Sequence, residues 1–312
     1  MKQFILIIAI LMLSLPVTAQ LKKEKVNAAG EQVYFIADES DYKGAIESDI
    51  SLVARNFNGK GIEKALTEKN FEAAAGLFQQ AVESDQRCFV CKYNLGLSLM
   101  KSEKYDQAFE AFSNLTSDFP SYANGYSGLG EVYGKKGLYK DSVAAFEKAI
   151  KLESKDSILL SNLGNALFQI KDYKNSLIYL DKAIKINPSL VVAHSNRGAT
   201  LYEMGRYKDA IESLKYAIAL HPSSAEAQNN LGVALSRLGK FKEAHKCYLE
   251  AVRLRPQWEI ALYNLAMSNF ALKKRDEAQR QLAVLENLAP DLAKDLRKAF
   301  FNKYLIDVSD VK

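Results

Sequence analysis

The sequence predicts an all-α fold, a solenoid of stacked antiparallel helix pairs. A glycine returns every 34 residues, and a fixed period of this length is typical of arrays whose members pack only against their neighbours. Five of the six prolines also share one position of the period. The composition, 48% hydrophobic and 25% charged, is that of an ordered soluble chain. The recurring glycines are Gly96, Gly130, Gly164, Gly198 and Gly232.

Six full repeats follow when position 1 is set at Phe89. Each holds two helices, over roughly positions 2–14 and 18–31, joined by a turn where Gly137, Gly205 or Gly239 suits a left-handed residue. The prolines at position 32 mark the end of each repeat, because proline is excluded from helix interiors. The repeats run over 89–122, 123–156, 157–190, 191–224, 225–258 and 259–292.

The flanking segments follow the same pattern less closely. Residues 55–88 are predicted to form a degenerate repeat, in which Phe71 and Phe78 fit the second helix but Ile62 replaces the glycine. Residues 293–312 are predicted to form a C-terminal capping helix and tail, because their apolar side chains recur at helical spacing. Residues 20–54 show no repeat and are expected to be a partly disordered leader with a short helix near residues 45–57.

The first nineteen residues have the layout of a secretory signal. A lysine precedes an apolar run from Phe4 to Leu15, and small residues follow before Gln20. The run is shorter than the roughly 20 residues that cross a bilayer, so cleavage and export to the periplasm or the medium are predicted, with an uncleaved anchor as the alternative. No membrane span is expected after cleavage.

The charge pattern argues against nucleic acid as a partner. The net charge is +5, and 42 basic residues are interleaved with 37 acidic ones. Long basic blocks, which mark nucleic-acid binding, do not occur in the sequence.

The repeat pattern closely resembles the tetratricopeptide repeat family. The resemblance rests on Leu at position 7, a small residue at 8, Ala or Ser at 20, an aromatic residue or Leu at 24, Ala at 27 and Pro at 32. Arg197 and Ser154 depart from it. It implies a right-handed superhelix whose concave groove binds a protein or peptide. One repeat shows the full set: Leu231, Gly232, Ala244, Tyr248, Ala251 and Pro256.

Position 6 carries an asparagine in five of the six repeats. The family resemblance implies that position 6 faces the concave groove. A carboxamide has two donors and an acceptor and can bond a peptide backbone, so these residues predict a peptide-binding ladder. The alternative is that each asparagine bonds within the array. The ladder comprises Asn94, Asn162, Asn196, Asn230 and Asn264.

Further groove residues are inferred from neighbouring positions. Aromatic residues and arginine are favoured at interaction surfaces. Positions 2 and 5 lack the lysines of the family's carboxylate clamp, so a chaperone tail is not the predicted ligand. The inferred residues are Tyr93, Asn165, Tyr202, Arg237 and Tyr263.

Two cysteines lie close together in the motif C-F-V-C. In an exported protein, Cys88 and Cys91 are expected to form a disulfide, or to remain as two semi-buried thiols. A thiol–disulfide redox protein that uses this pair is the alternative function. The three histidines lack metal-binding spacing, so neither a metal nor a cofactor is predicted.

The function predicted from these features is that of an exported, non-catalytic scaffold or adaptor. It would bind an extended peptide segment or a helix of a partner protein in the groove. Nucleic acid and small-molecule substrates are not expected. A self-assembling structural array is a third hypothesis.

Overall fold

The computed structural model describes residues 50–153 and 155–309, and for residues 301–309 only the helical backbone. The predicted signal, residues 20–49 of the leader, Ser154 and the last three residues lie outside the described part. The described part contains fifteen α-helices and no strand. It divides into two compact units, one ending at Lys171 and the other beginning at Asp172.

The N-terminal unit is a row of seven helices. Each helix packs against the next one along the chain, which is the antiparallel stacking of a repeat array. Its helices are α1 (Leu52–Thr67), α2 (Phe71–Ser84), α3 (Phe89–Lys101), α4 (Tyr105–Asp118), α5 (Ala123–Lys135), α6 (Tyr139–Leu152) and α7 (Ser157–Gln169).

The C-terminal unit is built in the same way from eight helices. Consecutive helices pack together, and the last helix also contacts the first helix of the final repeat. Its helices are α8 (Tyr173–Ile186), α9 (Val191–Glu203), α10 (Tyr207–Leu220), α11 (Ala225–Arg237), α12 (Phe241–Leu254), α13 (Glu259–Ala271), α14 (Arg275–Leu288) and α15 (Pro290–Ser309).

The prolines and the turn glycines of the sequence explain these helix boundaries. Second helices that precede a proline end two residues before it, as at Asp118 and Pro120. The turn inside each repeat has one left-handed residue, and Gly137, Gly205 and Gly239 adopt φ of +73° to +75° there. Pro290 instead opens α15, where its missing N–H costs no helical hydrogen bond.

The recurring glycines lie where two helices cross closely. A Cβ added to Gly198 would lie 2.6 Å from Cγ of Leu214, and one added to Gly232 would lie 2.6 Å from Cε1 of Tyr248. The helix tolerates glycine here because any side chain would separate the helices. In the degenerate repeat Gly61 takes this role against Phe78, one position earlier than Ile62.

The capping helix α15 closes the apolar end of the C-terminal unit. Ala293 and Leu296 pack with Leu262 and Leu285, and the ring of Phe300 stacks on a ring of α13, with centroids 4.5 Å apart. This burial removes the apolar face of the last repeat from water, as expected for a terminal cap.

Candidate functional site

The first helices of consecutive repeats contact one another within each unit. In the N-terminal unit α1 contacts α3, α3 contacts α5 and α5 contacts α7; in the C-terminal unit α9 contacts α11 and α11 contacts α13. Position 6 and its neighbours lie on these first helices. Each unit therefore carries a row of the predicted groove residues.

In the N-terminal unit, the asparagine amides are largely committed to internal contacts. Asn94 is fully buried and its Nδ2 donates to Oδ1 of Asn58, 2.9 Å away. Asn162 is half-buried, and its Nδ2 donates weakly to Oε1 of Glu131 at 3.4 Å. Asn165 is exposed. At Asn94 the structure therefore corresponds to the internal alternative, and we leave this residue out of the proposed site.

Tyr93 belongs to an aromatic cluster of the same unit. Its ring centroid lies 5.9 Å from that of Phe112 and 6.1 Å from that of Tyr122. Burial raises the pKa of Tyr93 well above its usual range, because a phenolate would be poorly solvated there. The ring therefore contributes to the packing within its own repeat more than it offers a contact for a ligand.

In the C-terminal unit, two asparagine amides remain available. Asn196 and Asn230 are half-buried, and their side chains make no hydrogen bond within the described part of the chain. Asn264 donates from Nδ2 to Oδ1 of Asn229 at 2.9 Å, which fixes its orientation. Asn196 and Asn230 thus occupy equivalent positions of neighbouring repeats with unused hydrogen-bonding capacity.

An arginine and a tyrosine follow these amides further along the same two helices. Nε of Arg237 donates to the hydroxyl of Tyr202 at 2.8 Å, and the guanidinium carbon lies 5.8 Å from the centre of that ring. Tyr202 also packs on Tyr207, with centroids 5.4 Å apart. Tyr263 is partly buried against the terminal apolar cluster. A pre-oriented guanidinium beside an aromatic ring is a favourable contact for a partner protein.

Sequence analysis placed Asn165, at position 9, in the groove but named none of the apolar side chains that share this position. Ala199, Val233 and Met267 stand three residues after the asparagines of their helices and are half-buried, and residues three apart share a helix face. Their common position in the period was the signal that could have found them. The face therefore combines amides with half-buried apolar side chains.

The structure joins Cys88 and Cys91 by a disulfide across the first turn of α3, with Cα atoms 5.2 Å apart. The two residues are only 3% and 0% exposed. Thiol–disulfide exchange requires a thiolate to reach one of the sulfur atoms, so this burial does not favour the redox alternative. Cys247 is half-buried, and burial raises its pKa to about 11.

The described residues form neither a metal-binding cluster nor a membrane-spanning helix. No group of three or more His, Cys, Asp or Glu side chains in this part of the chain is placed to hold a metal ion. Over the same residues, none of the helices combines the length and apolar character that a membrane span needs.

Family comparisons agree with this architecture. Tetratricopeptide repeat models match residues 65–123, 123–156, 196–257 and 234–291, and a TPR repeat model matches residues 164–205. The chain belongs to the tetratricopeptide repeat family. The small glutamine-rich tetratricopeptide repeat-containing protein 2 of Mycosarcoma maydis is 31% identical over 107 residues, which cover 34% of this chain and 30% of that protein.

Solved structures share the fold of this tetratricopeptide repeat protein. A chain of the APC/C hetero-tetramer Cut9-Hcn1 has a TM-score of 0.63 at 15% identity, covering 83% of this chain and 58% of that one. PilF of Pseudomonas aeruginosa has a TM-score of 0.60 at 18% identity, covering 69% and 98%. PilW, a type IV pilus biogenesis factor, has a TM-score of 0.60 at 19% identity, covering 65% and 94%. At such low identity these likenesses concern the fold alone.

Proposed function

We propose that this tetratricopeptide repeat protein is an exported, non-catalytic adaptor that binds an extended segment of a partner protein along α9, α11 and α13. The observation that carries the proposal is the pair Asn196 and Asn230. Their amides occupy equivalent positions, are half-exposed and have no side-chain hydrogen bond in the described part of the chain.

The chemistry of this face suits an extended backbone. Each carboxamide donates to a peptide carbonyl and accepts from a peptide N–H, so binding depends little on the partner's side chains. Val233 and Met267 provide apolar surface beside the amides. The hydrogen bond to Tyr202 fixes the orientation of the Arg237 guanidinium, which adds a positive charge to this face. The repeat period sets the spacing at which the partner is held.

Photo-crosslinking followed by titration tests this site. A photoreactive phenylalanine analogue at Val233, on the proposed face, is expected to capture a partner from the exported fraction, whereas the same analogue at the exposed Leu249 of α12 is the matched control. The affinity of the captured segment is then measured with the double variant Asn196→Ala/Asn230→Ala. Loss of two amide contacts, each about 0.5–1.5 kcal/mol, weakens binding about fivefold or more.

Asn94→Ala separates binding from folding. Because the Asn94 amide is buried and bonded to Asn58, its loss is expected to lower the melting temperature and to leave the affinity of the folded protein unchanged. Unchanged affinity of the Asn196/Asn230 double variant would contradict the proposed site.

The proposal of export rests on the signal-like first nineteen residues and is supported by the disulfide, which forms and persists in oxidising compartments. Cell fractionation and the mass of the intact protein test it, with a mature chain beginning at Gln20 as the expected product. Recovery of the full-length chain in the cytoplasmic fraction would refute it.

The non-catalytic part of the proposal is supported by the burial of Cys88 and Cys91. An insulin-reduction assay tests it directly, and turnover that is lost in Cys88→Ser would establish the redox alternative. Nucleic acids and small-molecule substrates are not part of the proposed function.

A further inference from the structure

A second recess lies in the N-terminal unit, on the side of the second helices. It is a groove of about 730 Å³ between α2 and α4, and Leu95 and Leu99 of α3 lie in its floor. We call it the outer groove. It contains none of the residues of the proposed site on α9, α11 and α13.

Small side chains create this groove. Ala75 and Gly76 of α2 and Ala111 of α4 line it, and a Cβ added at Gly76 would meet no atom within 4 Å. Large side chains occupy the position of Gly76 in the second helices of the C-terminal unit: Ile178, Glu212, Lys246 and Arg280.

The walls of the outer groove are polar. Gln107 and Asn114 are exposed and line it with carboxamides, as does Gln79, whose Nε2 already donates to Oε1 of Glu83 at 2.9 Å. Ion pairs join the helices around it, one between Nζ of Lys104 and Oε1 of Glu72 at 2.5 Å and one between Lys92 and Asp118. Among the charged side chains that line the groove, only Glu110 makes no ion pair within the described part of the chain.

We propose that the outer groove binds an extended polar peptide segment of a partner protein, with one Lys or Arg placed opposite Glu110. Carboxamides on both walls can bond a peptide backbone, and the unpaired carboxylate complements a single cation. No aromatic ring lines the groove, so a sugar would find no stacking surface. An acidic segment would meet Glu110 and is disfavoured.

Three labelled decapeptides composed of Ser, Thr and Gln test the proposal by fluorescence anisotropy on the full chain. They differ only in the central residue, which is Arg, Gln or Glu. The Arg peptide is expected to bind about fivefold more tightly than the Gln peptide, the ratio that a surface ion pair of up to about 1 kcal/mol gives, and the Glu peptide most weakly. Raising the salt from about 0.1 M to about 1 M should reduce this preference.

Two variants assign the binding to the groove. Glu110→Lys is expected to invert the preference, so that the Glu peptide binds best, while Glu212→Lys, the same position in another repeat, leaves it unchanged. Gly76→Leu places a side chain in the open groove and is expected to weaken all three peptides at least tenfold. Because Gly76 faces open space, the melting temperature of the Gly76→Leu variant should not fall below that of the wild type.

The proposal is overturned if the wild-type chain binds none of the peptides, if Glu110→Lys keeps the original preference, or if Gly76→Leu binds like the wild type with an intact fold. The double variant Asn196→Ala/Asn230→Ala is expected to retain all binding to the outer groove. Failure of this second site would therefore leave the proposed function untouched.

Discussion

Two helix crossings, one in each unit, differ in the side chain at position 24, although the next repeat of the C-terminal unit also has a ring there, Tyr248. In the N-terminal unit, the ring of Phe112 lies between two glycines of neighbouring repeats, since a Cβ on Gly96 or on Gly128 would come within 2.7 Å of it. In the C-terminal unit, Leu214 faces Gly198. A rigid ring enclosed on both faces cannot move away, whereas a leucine can change rotamer. The same repeat pattern therefore gives helix crossings that differ in how well they tolerate a larger side chain at the glycine.

Truncation of the two side chains should give the largest difference. Phe112→Ala is expected to lower the free energy of unfolding by about 4–5 kcal/mol, because it empties a space that serves two repeats, and Leu214→Ala by about 3 kcal/mol. Urea unfolding measures the free energy of unfolding of each variant, and hydrogen exchange shows which unit opens. Leu249→Ala, at an exposed position, is the control. Equal losses at the two buried positions would contradict the comparison.

Replacing the glycines by alanine should cost less stability than these truncations. The crossing at Phe112 should again lose more than the crossing at Leu214. Gly128→Ala is expected to cost about 2–3 kcal/mol and Gly198→Ala about 1 kcal/mol, within the usual cost of overpacking, because the ring of Phe112 has nowhere to go. Gly76→Ala is the control, since its added methyl group meets open space and should stabilise α2 by up to about 1 kcal/mol. Thermal melts of the three variants measure this order.

The 34-residue period was sufficient to predict most of the fold. It predicted the helix pairs and the turn glycines, and the spacing of apolar residues predicted the capping helix, because each depends on local chemistry that recurs in the sequence. Aromatic residues recur at position 17 and begin the second helices: α4, α6, α8, α10 and α12 start at Tyr105, Tyr139, Tyr173, Tyr207 and Phe241. The degenerate repeat was harder, because its small residue, Gly61, stands one position before position 8.

The candidate sites depended more on tertiary context. Asn94 and Asn196 occupy the same position of the period, but Asn94 finds a buried partner in Asn58 whereas Asn196 does not find one in the described part. A single position of a repeat therefore does not determine whether an amide is available. The outer groove was not predicted, because it requires small residues on two helices whose separation the sequence does not specify.

The units also differ in the charged groups that they bury. In the N-terminal unit, the carboxylate of Asp85 is buried and accepts hydrogen bonds from the Arg87 side chain and from the backbone N–H groups of Arg87 and Ser51, all at 2.9–3.0 Å. The Arg87 side chain, helped by the backbone donors, lowers the pKa of Asp85 to about 2. This interaction ties the start of α1 to the end of α2.

Acid should weaken this interaction in the N-terminal unit. Because the folded-state pKa of Asp85 is below its ordinary value, its contribution to stability is complete above about pH 4 and is lost as the pH falls through about 2. Asp85→Asn is expected to cost about 1–2 kcal/mol at neutral pH and almost nothing near pH 2. Urea unfolding of both proteins across this range measures the convergence, and a penalty independent of pH would show that the charge is not the cause.

The C-terminal unit buries two histidines instead, His194 of α9 and His245 of α12. His245 of α12 lies against Ser268 of α13, with Nδ1 and Oγ 3.3 Å apart, and Nζ of Lys274 is 3.5 Å from Nε2. Burial lowers the pKa of His245, Lys274 lowers it further, and Glu277 opposes both. The neutral imidazole is therefore the form that the folded protein favours.

Mild acid should consequently destabilise the C-terminal unit slightly, under conditions that leave Asp85 ionised. Since the folded-state pKa of His245 is below its ordinary value, the stability it contributes is complete above about pH 6.5 and declines as the pH falls below it. His245→Gln is expected to reduce the fall in melting temperature between about pH 7.5 and about pH 5.5. Ser268→Ala, which removes only the hydrogen bond, should lower the melting temperature without changing its dependence on pH. Hydrogen exchange should show the wild-type loss in α12–α14 and not in α1–α3; a loss spread equally over both units would mean that buried histidine is not what makes the C-terminal unit sensitive to mild acid.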